Sequence, residues 1–166
     1  MLILAASNGH NLVLARRVSS IAAEQGHGVE LIDLVALGLS LYTPAAEAVG
    51  PGANLDRLAT ELRLHQRLWI CAPEYNGSLP PSLSSALAWL SRTTSDFRSL
   101  FNGLPVALSS HSGGSGQKAL SAMRLQFSHL GSTVLGRELS CSDERAANPE
   151  SIAAMLVELH RLPTPG

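Results

Sequence analysis

The chain has 166 residues, 45% of them hydrophobic and 15% charged, with a formal net charge of −1. That length and balance predict one ordinary domain with an aliphatic core, and the near-zero charge argues against nucleic acid as a partner, since phosphate binding needs a basic face. No stretch reaches the length of a membrane span, and Cys71 and Cys141 form no C-x-x-C pair, which removes zinc and dithiol readings; Cys71, in an apolar run, reads as a buried free thiol, and the setting as reducing and cytoplasmic.

Leu2 to Ala6 is a short apolar run, as in a strand buried on both faces. Met1 to Ala6 is too short for a signal h-region, and polar residues follow at once. Leu12 to Gln25 has helical spacing and ends at Gly26. Val29 to Asp33 reads as a second strand, and Leu34 to Ala53 as a loop without a period. Leu55 to Gln66 is helical, and Arg67 to Ala72 is a strand that stops at Pro73. Beyond the Pro73 to Pro81 loop, Ser82 to Arg92 is helical.

Leu104 to Ser110 is a fourth strand, with Pro105 near its start, where a missing N–H is tolerated. Gly113 to Gly116 is a loop, Gln117 to Leu130 a helix, and Ser132 to Leu135 a short fifth strand. Arg137 to Pro149 reads as loop and Glu150 to Leu162 as the last helix. Pro163 to Gly166 reads as a frayed tail. This alternation predicts an α/β three-layer sandwich with a five-stranded parallel sheet and helices on both faces, in a single domain over residues 1–166.

Ligands of such folds bind outside the carboxyl ends of the strands. The loops there begin at Ser7, Pro73 and Ser110. In the first, Ser7, Asn8, Gly9, His10 and Asn11 lead into a helix N-terminus, whose free amides and dipole suit a phosphate. Asn8 or Asn11 as a plain helix cap is the competing reading. In the second, Gly77 and its flanking amides can approach the polar edge of a flat heterocycle, Tyr75 offers an apolar face, and Asn76 a donor and an acceptor. A structural turn held by Pro73 and Pro80, with Ser82 capping the next helix, is the alternative.

Gly113 to Lys118 lacks the Gly-Lys-Ser/Thr ending of a nucleotide phosphate loop. It is not a nucleophile elbow either, because Gln117 takes the place of the last glycine. No His or carboxylate spacing suggests a metal site.

The string Pro73-Glu74-Tyr75-Asn76-Gly77-Ser78-Leu79-Pro80, with the following helix through Trp89 and Arg92, resembles the NAD(P)H-dependent FMN reductase family of the flavodoxin-like superfamily. Ser110, Gly113-Gly114, Leu120, Leu130 and Gly131 match the same family pattern. The resemblance implies FMN as cofactor, NADPH or NADH as co-substrate, and a small-molecule acceptor such as a quinone, a flavin, an azo compound or a metal oxyanion. It implies that Glu74 to Gly77 contact the flavin ring, that Ser110, Gly113 and Gly114 frame its other side, and that the flavin carries the chemistry without a dedicated acid–base residue. It implies a homodimer or homotetramer built through the helices Pro81 to Arg92 and Gln117 to Leu130. The alternatives are a flavodoxin-like electron carrier and a flavodoxin-like module without FMN; near-neutral charge disfavours the carrier, which is usually acidic.

Two stretches depart from the family pattern. The first loop is short and has no Arg between Ser7 and Asn11. Pro81, Ser84, Ser85 and Ala88 stand where the family often has Gly, Lys, Asn and Asp.

Overall fold

The computed structural model describes residues 1–165. Five parallel strands, β1 (Leu2–Ala5), β2 (Glu30–Asp33), β3 (Leu68–Cys71), β4 (Pro105–His111) and β5 (Thr133–Cys141), lie in the order β2-β1-β3-β4-β5. The chain steps from β1 outward to β2 and returns across β1 to β3, so the order reverses between β1 and β3. This is the flavodoxin-like order, in which the ligand crevice opens at that reversal.

The period-2 alternation of each strand divides two cores. Leu2, Leu4, Leu68, Ile70, Val106 and Leu108 face one side. There they meet α4 (Ala53–His65), α5 (Pro81–Leu90) and α6 (Gln117–His129). Ile3, Ala5, Trp69, Cys71 and Ala107 face the other, against α1 (His10–Glu24) and α7 (Pro149–Arg161). The indole N–H of Trp69 is satisfied inside this layer by Ser109 Oγ at 2.9 Å.

Two expectations change. The segment Leu34 to Ala53 is not a featureless loop: it holds α2 (Leu34–Leu37) and α3 (Pro44–Val49). Asp33 caps α2 by accepting from the amides of Val35 and Ala36, and Thr43 caps α3, with Pro44 opening it. Both helices are too short to display a period, although their caps are legible. β5 also runs past Leu135 to Cys141, so part of the segment read as loop is strand. Between Val134 and Glu138 four steps of β5 oppose the two steps from Val106 to Leu108, a bulge that breaks the apolar alternation. Arg124 fills it, donating to the Leu135 carbonyl and to Glu138 Oε1, both at 2.7 Å.

Of the expected tail, Gly166 lies outside the described residues. Among those described, no helix is long and apolar enough to cross a membrane.

Candidate flavin site

The loop after β1 turns at Gly9, the N-cap of α1, which has no side-chain cap. Neither Asn8 nor Asn11 therefore serves as the cap. The amides of Leu12 and Val13 donate back to the Gly9 carbonyl, so the amides of His10 and Asn11 stand ahead of the hydrogen-bonded turns, at the positive end of the helix. Asn11 is 1% exposed. Its side-chain amide donates to the His111 carbonyl and its Oδ1 accepts the His111 amide, both at 2.9 Å. The Asn11 side chain thus ties the first loop to the end of β4.

In the second loop, Tyr75 and Ser78 exchange backbone hydrogen bonds of 3.1 and 3.0 Å. Asn76 and Gly77 between them adopt φ of 52° and 75°. This is a tight two-residue turn that suits Asn-Gly. The amides of these two residues take no part in the Tyr75–Ser78 pair and remain at its tip. Ser82 does not cap α5: its hydroxyl donates to the Ala6 carbonyl at 2.6 Å, fastening the start of α5 beside the first loop.

Glu74 ties the second loop to the third. Its carboxylate accepts the amides of Lys118 and Ala119 at the start of α6, while its own amide donates to Ser112 Oγ at 2.7 Å. Ser110 is also inward. It is wholly buried, shares a hydrogen bond with Ser112, and lies beneath Gly116, where a Cβ would come within 2.4 Å of its hydroxyl. Glu74 and Ser110 therefore brace the second and third loops, Ser110 wholly buried and Glu74 at the edge of the crevice.

A cavity of about 300 Å³ collects Ser7, Asn8, Gly9, His10 and Asn11 from the first loop, Pro73, Glu74 and Tyr75 from the second, and Gly113 from the third. Asn76, Gly77 and Gly114 stand on the same loops outside its lining. His111, Ser112 and Asp143 complete the wall and were not singled out from sequence. His111 follows the expected end of a strand, which was its one available signal; Asp143 falls in a segment without one. Among the described residues, no Lys or Arg lines this cavity.

The rings of His10 and His111 stack at 4.5 Å and 6°. Asp143 Oδ1 lies 3.8 Å from His10 Nδ1 and 3.5 Å from His111 Nε2. Sequence spacing gave no hint of this group, whose ligand atoms lie within 4.8 Å of one another. An imidazole nitrogen directs its lone pair in its ring plane, so two parallel rings do not converge on one ion as they stand. The thiols contribute nothing to the crevice: both are buried and free. Burial pushes Cys71 up to about 12 and raises Cys141 as well.

The donor set fits a flavin mononucleotide. A helix N-terminus with free amides and the Ser7 hydroxyl suit a phosphate, and Pro73, Tyr75 and Gly113 give a flat, largely apolar wall beside it. The model of the NADPH-dependent FMN reductase family matches residues 1–145. The chain belongs to that family. It is accordingly an oxidoreductase with FMN as cofactor and NAD(P)H as co-substrate.

The fold is shared with FerB, a flavoenzyme NAD(P)H:(acceptor) oxidoreductase from Paracoccus denitrificans. The TM-score is 0.77 at 17% identity, covering 97% of this chain and 94% of that one. An oxidoreductase from Corynebacterium diphtheriae aligns with a TM-score of 0.73 at 15% identity over 97% and 94% of the two chains. Flavodoxin 2 from Bacillus cereus aligns at 0.63 and 12% over 96% and 95%. No curated protein gives a significant sequence match.

Proposed function

We propose that this FMN reductase passes the electrons of a nicotinamide hydride through FMN to a small-molecule acceptor: a quinone, a free flavin, an azo compound or a metal oxyanion. The observation that carries this reading is the convergence of the first, second and third loops on one cavity at the strand-order reversal.

When bound, FMN supplies the hydride chemistry. The protein's work is binding, orientation and tuning. The amides of His10 and Asn11 with the Ser7 hydroxyl would hold the phosphate. Pro73, Tyr75 and Gly113 would flank the ring, and the amides of Asn76 and Gly77 would donate to its polar edge, where negative charge grows on reduction. Glu74, Ser110 and Asn11 act one step back, by fixing the loops that carry these groups.

The chain works as a single domain in a cytoplasmic setting and as a homodimer or homotetramer. Of the two helices expected at the subunit contact, α5 is largely occupied internally. Its Leu83, Ser85, Ala86, Leu87, Trp89 and Leu90 are buried, and Ser85 and Trp89 donate to the Ser40 carbonyl. α6 keeps an outward face with Lys118, Ser121 and Leu125 exposed, and is the better partner surface.

The test is the absorption spectrum of purified protein titrated with FMN and then given NADPH without oxygen. Bleaching of bound flavin supports the reductase. FMN binding with no bleaching by either nicotinamide points to an electron carrier, and failure to bind FMN at high concentration sinks both.

A further inference from the structure

A second concavity is larger than the flavin crevice. It has a volume of about 600 Å³ and lies along β5, between the N-termini of α6 and α7. Arg137 and Arg145 both line it. Among the described residues, neither is ion-paired to a carboxylate. Each guanidinium is instead held by a neutral hydroxyl: Arg137 donates to Ser151 Oγ at 2.9 Å and Arg145 to Ser140 Oγ at 2.7 Å. The one carboxylate in the wall, Glu138, is already engaged by Arg124 at 2.7 Å. The wall therefore carries two oriented guanidiniums with uncompensated charge, a donor set that matches a phosphate.

Its position gives the site a purpose. The bulge in β5 turns Arg137 out of the ladder toward the concavity. Ser140 also donates to the carbonyl of Ser115, so Arg145, Ser140 and Ser115 form a chain leading to the third loop of the flavin crevice. Arg137 precedes the carboxyl end of β5 at Cys141 by four residues, no more than about 13 Å along a strand. The third loop lies between the two concavities, with Gly113 in the wall of one and Ser115 in the wall of the other.

We propose that Arg137 and Arg145 bind the 2′-phosphate of NADPH and so select NADPH over NADH, an inference that rests on the reductase reading above. NADH lacks that phosphate and would leave both arginines unused.

The experiment uses the full-length, FMN-loaded protein. Adenosine 2′,5′-bisphosphate and adenosine 5′-monophosphate are titrated by calorimetry. kcat/KM is measured with NADPH and with NADH for the wild type, R137Q, R145Q and R16Q. Arg16 is exposed on α1, lines neither cavity, and controls for loss of charge. The expected result is about 10-fold weaker bisphosphate binding for each of R137Q and R145Q. A matching fall in kcat/KM for NADPH should accompany it, with NADH unchanged and R16Q like the wild type.

Bisphosphate affinity and NADPH-to-NADH preference that survive in R137Q and R145Q overturn the proposal. An equal loss in R16Q does the same. If neither nicotinamide reduces the wild-type flavin, the reductase reading fails; the bisphosphate titration then decides the arginine site by itself.

Discussion

Glu74 on the second loop caps α6 on the third: its Oε2 accepts the Lys118 amide at 3.1 Å and the Ala119 amide at 3.4 Å. The helix cannot cap itself, because its N-cap residue is Gly116. A carboxylate there satisfies two orphan amides and meets the positive end of the dipole. One residue thereby couples the second and third loops of the crevice.

Removal of that coupling has two consequences. Glu74→Ala should lower stability by about 1 kcal/mol, the usual worth of an N-cap, and weaken FMN binding through loosened loops. Glu74→Gln keeps an acceptor and should lose less of both. Urea denaturation and flavin fluorescence titration check the two effects; unchanged stability in Glu74→Ala would remove the cap argument.

Gly116 has φ of 65°, and a Cβ there would lie 2.4 Å from Ser110 Oγ and 2.8 Å from Ser110 Cβ. Gly116→Ala should therefore destabilise by more than the roughly 1–2 kcal/mol of a left-handed non-glycine residue alone. Ser110→Gly should relieve the steric part and leave the backbone part, giving a favourable coupling in a double-mutant cycle. Strict additivity would show that the contact is not the cause.

Asp143 places a carboxylate beside the N-terminus of α1 in a crevice that, among the described residues, has no Lys or Arg in its wall. A phosphate bound at the N-terminus of α1 would compete with it for His10 and His111. Asp143→Asn should therefore tighten FMN binding by roughly threefold to tenfold at low salt, with the gain fading as salt screens it. Weaker binding at every salt concentration would instead mark Asp143 as part of the phosphate cradle.

Burial raises Cys71 from 9.0 to about 12. Such a thiol stabilises the fold relative to the unfolded chain below pH 9.0, and that contribution is lost as pH climbs toward about 12. The protein should lose stability over that alkaline window. At pH 8 a thiol reagent should label neither cysteine in the native state and both after denaturation. Fast native-state labelling at Cys71 would contradict its burial.

His160 is shifted the other way, chiefly by burial. Its ring stacks on His27 at 3.5 Å. A histidine with a lowered folded value leaves stability intact at neutral and higher pH, and destabilises as pH falls through the ordinary histidine range. His160→Gln should flatten the melting-temperature profile on the acid side of neutrality. An unchanged acid limb would assign it to other groups.

Much of this molecule is written locally. The alternating apolar runs determine the strands, the helical spacing from Leu12 and from Glu150 determines α1 and α7, and the Pro73 to Pro80 string determines the family. The caps of α2 and α3 are there too, in Asp33 and in Thr43-Pro44. The roles of Asn11, Glu74 and Ser110 are not. A short polar residue beside a ligand loop reads the same whether it faces the ligand or braces the loop.

Only the tertiary structure decides between those roles, because the partners are distant in the chain. Asn11 meets His111 across 100 residues, and Glu74 meets Lys118 across 44. Strand order sets these encounters: the parallel order brings the carboxyl ends of β1, β3 and β4 side by side. The same holds for the His10–His111–Asp143 group and for Arg137, which a bulge in β5 turns outward. Local physics determined which loops form the crevice, and the register and packing of the sheet determined which of their side chains remain free to bind.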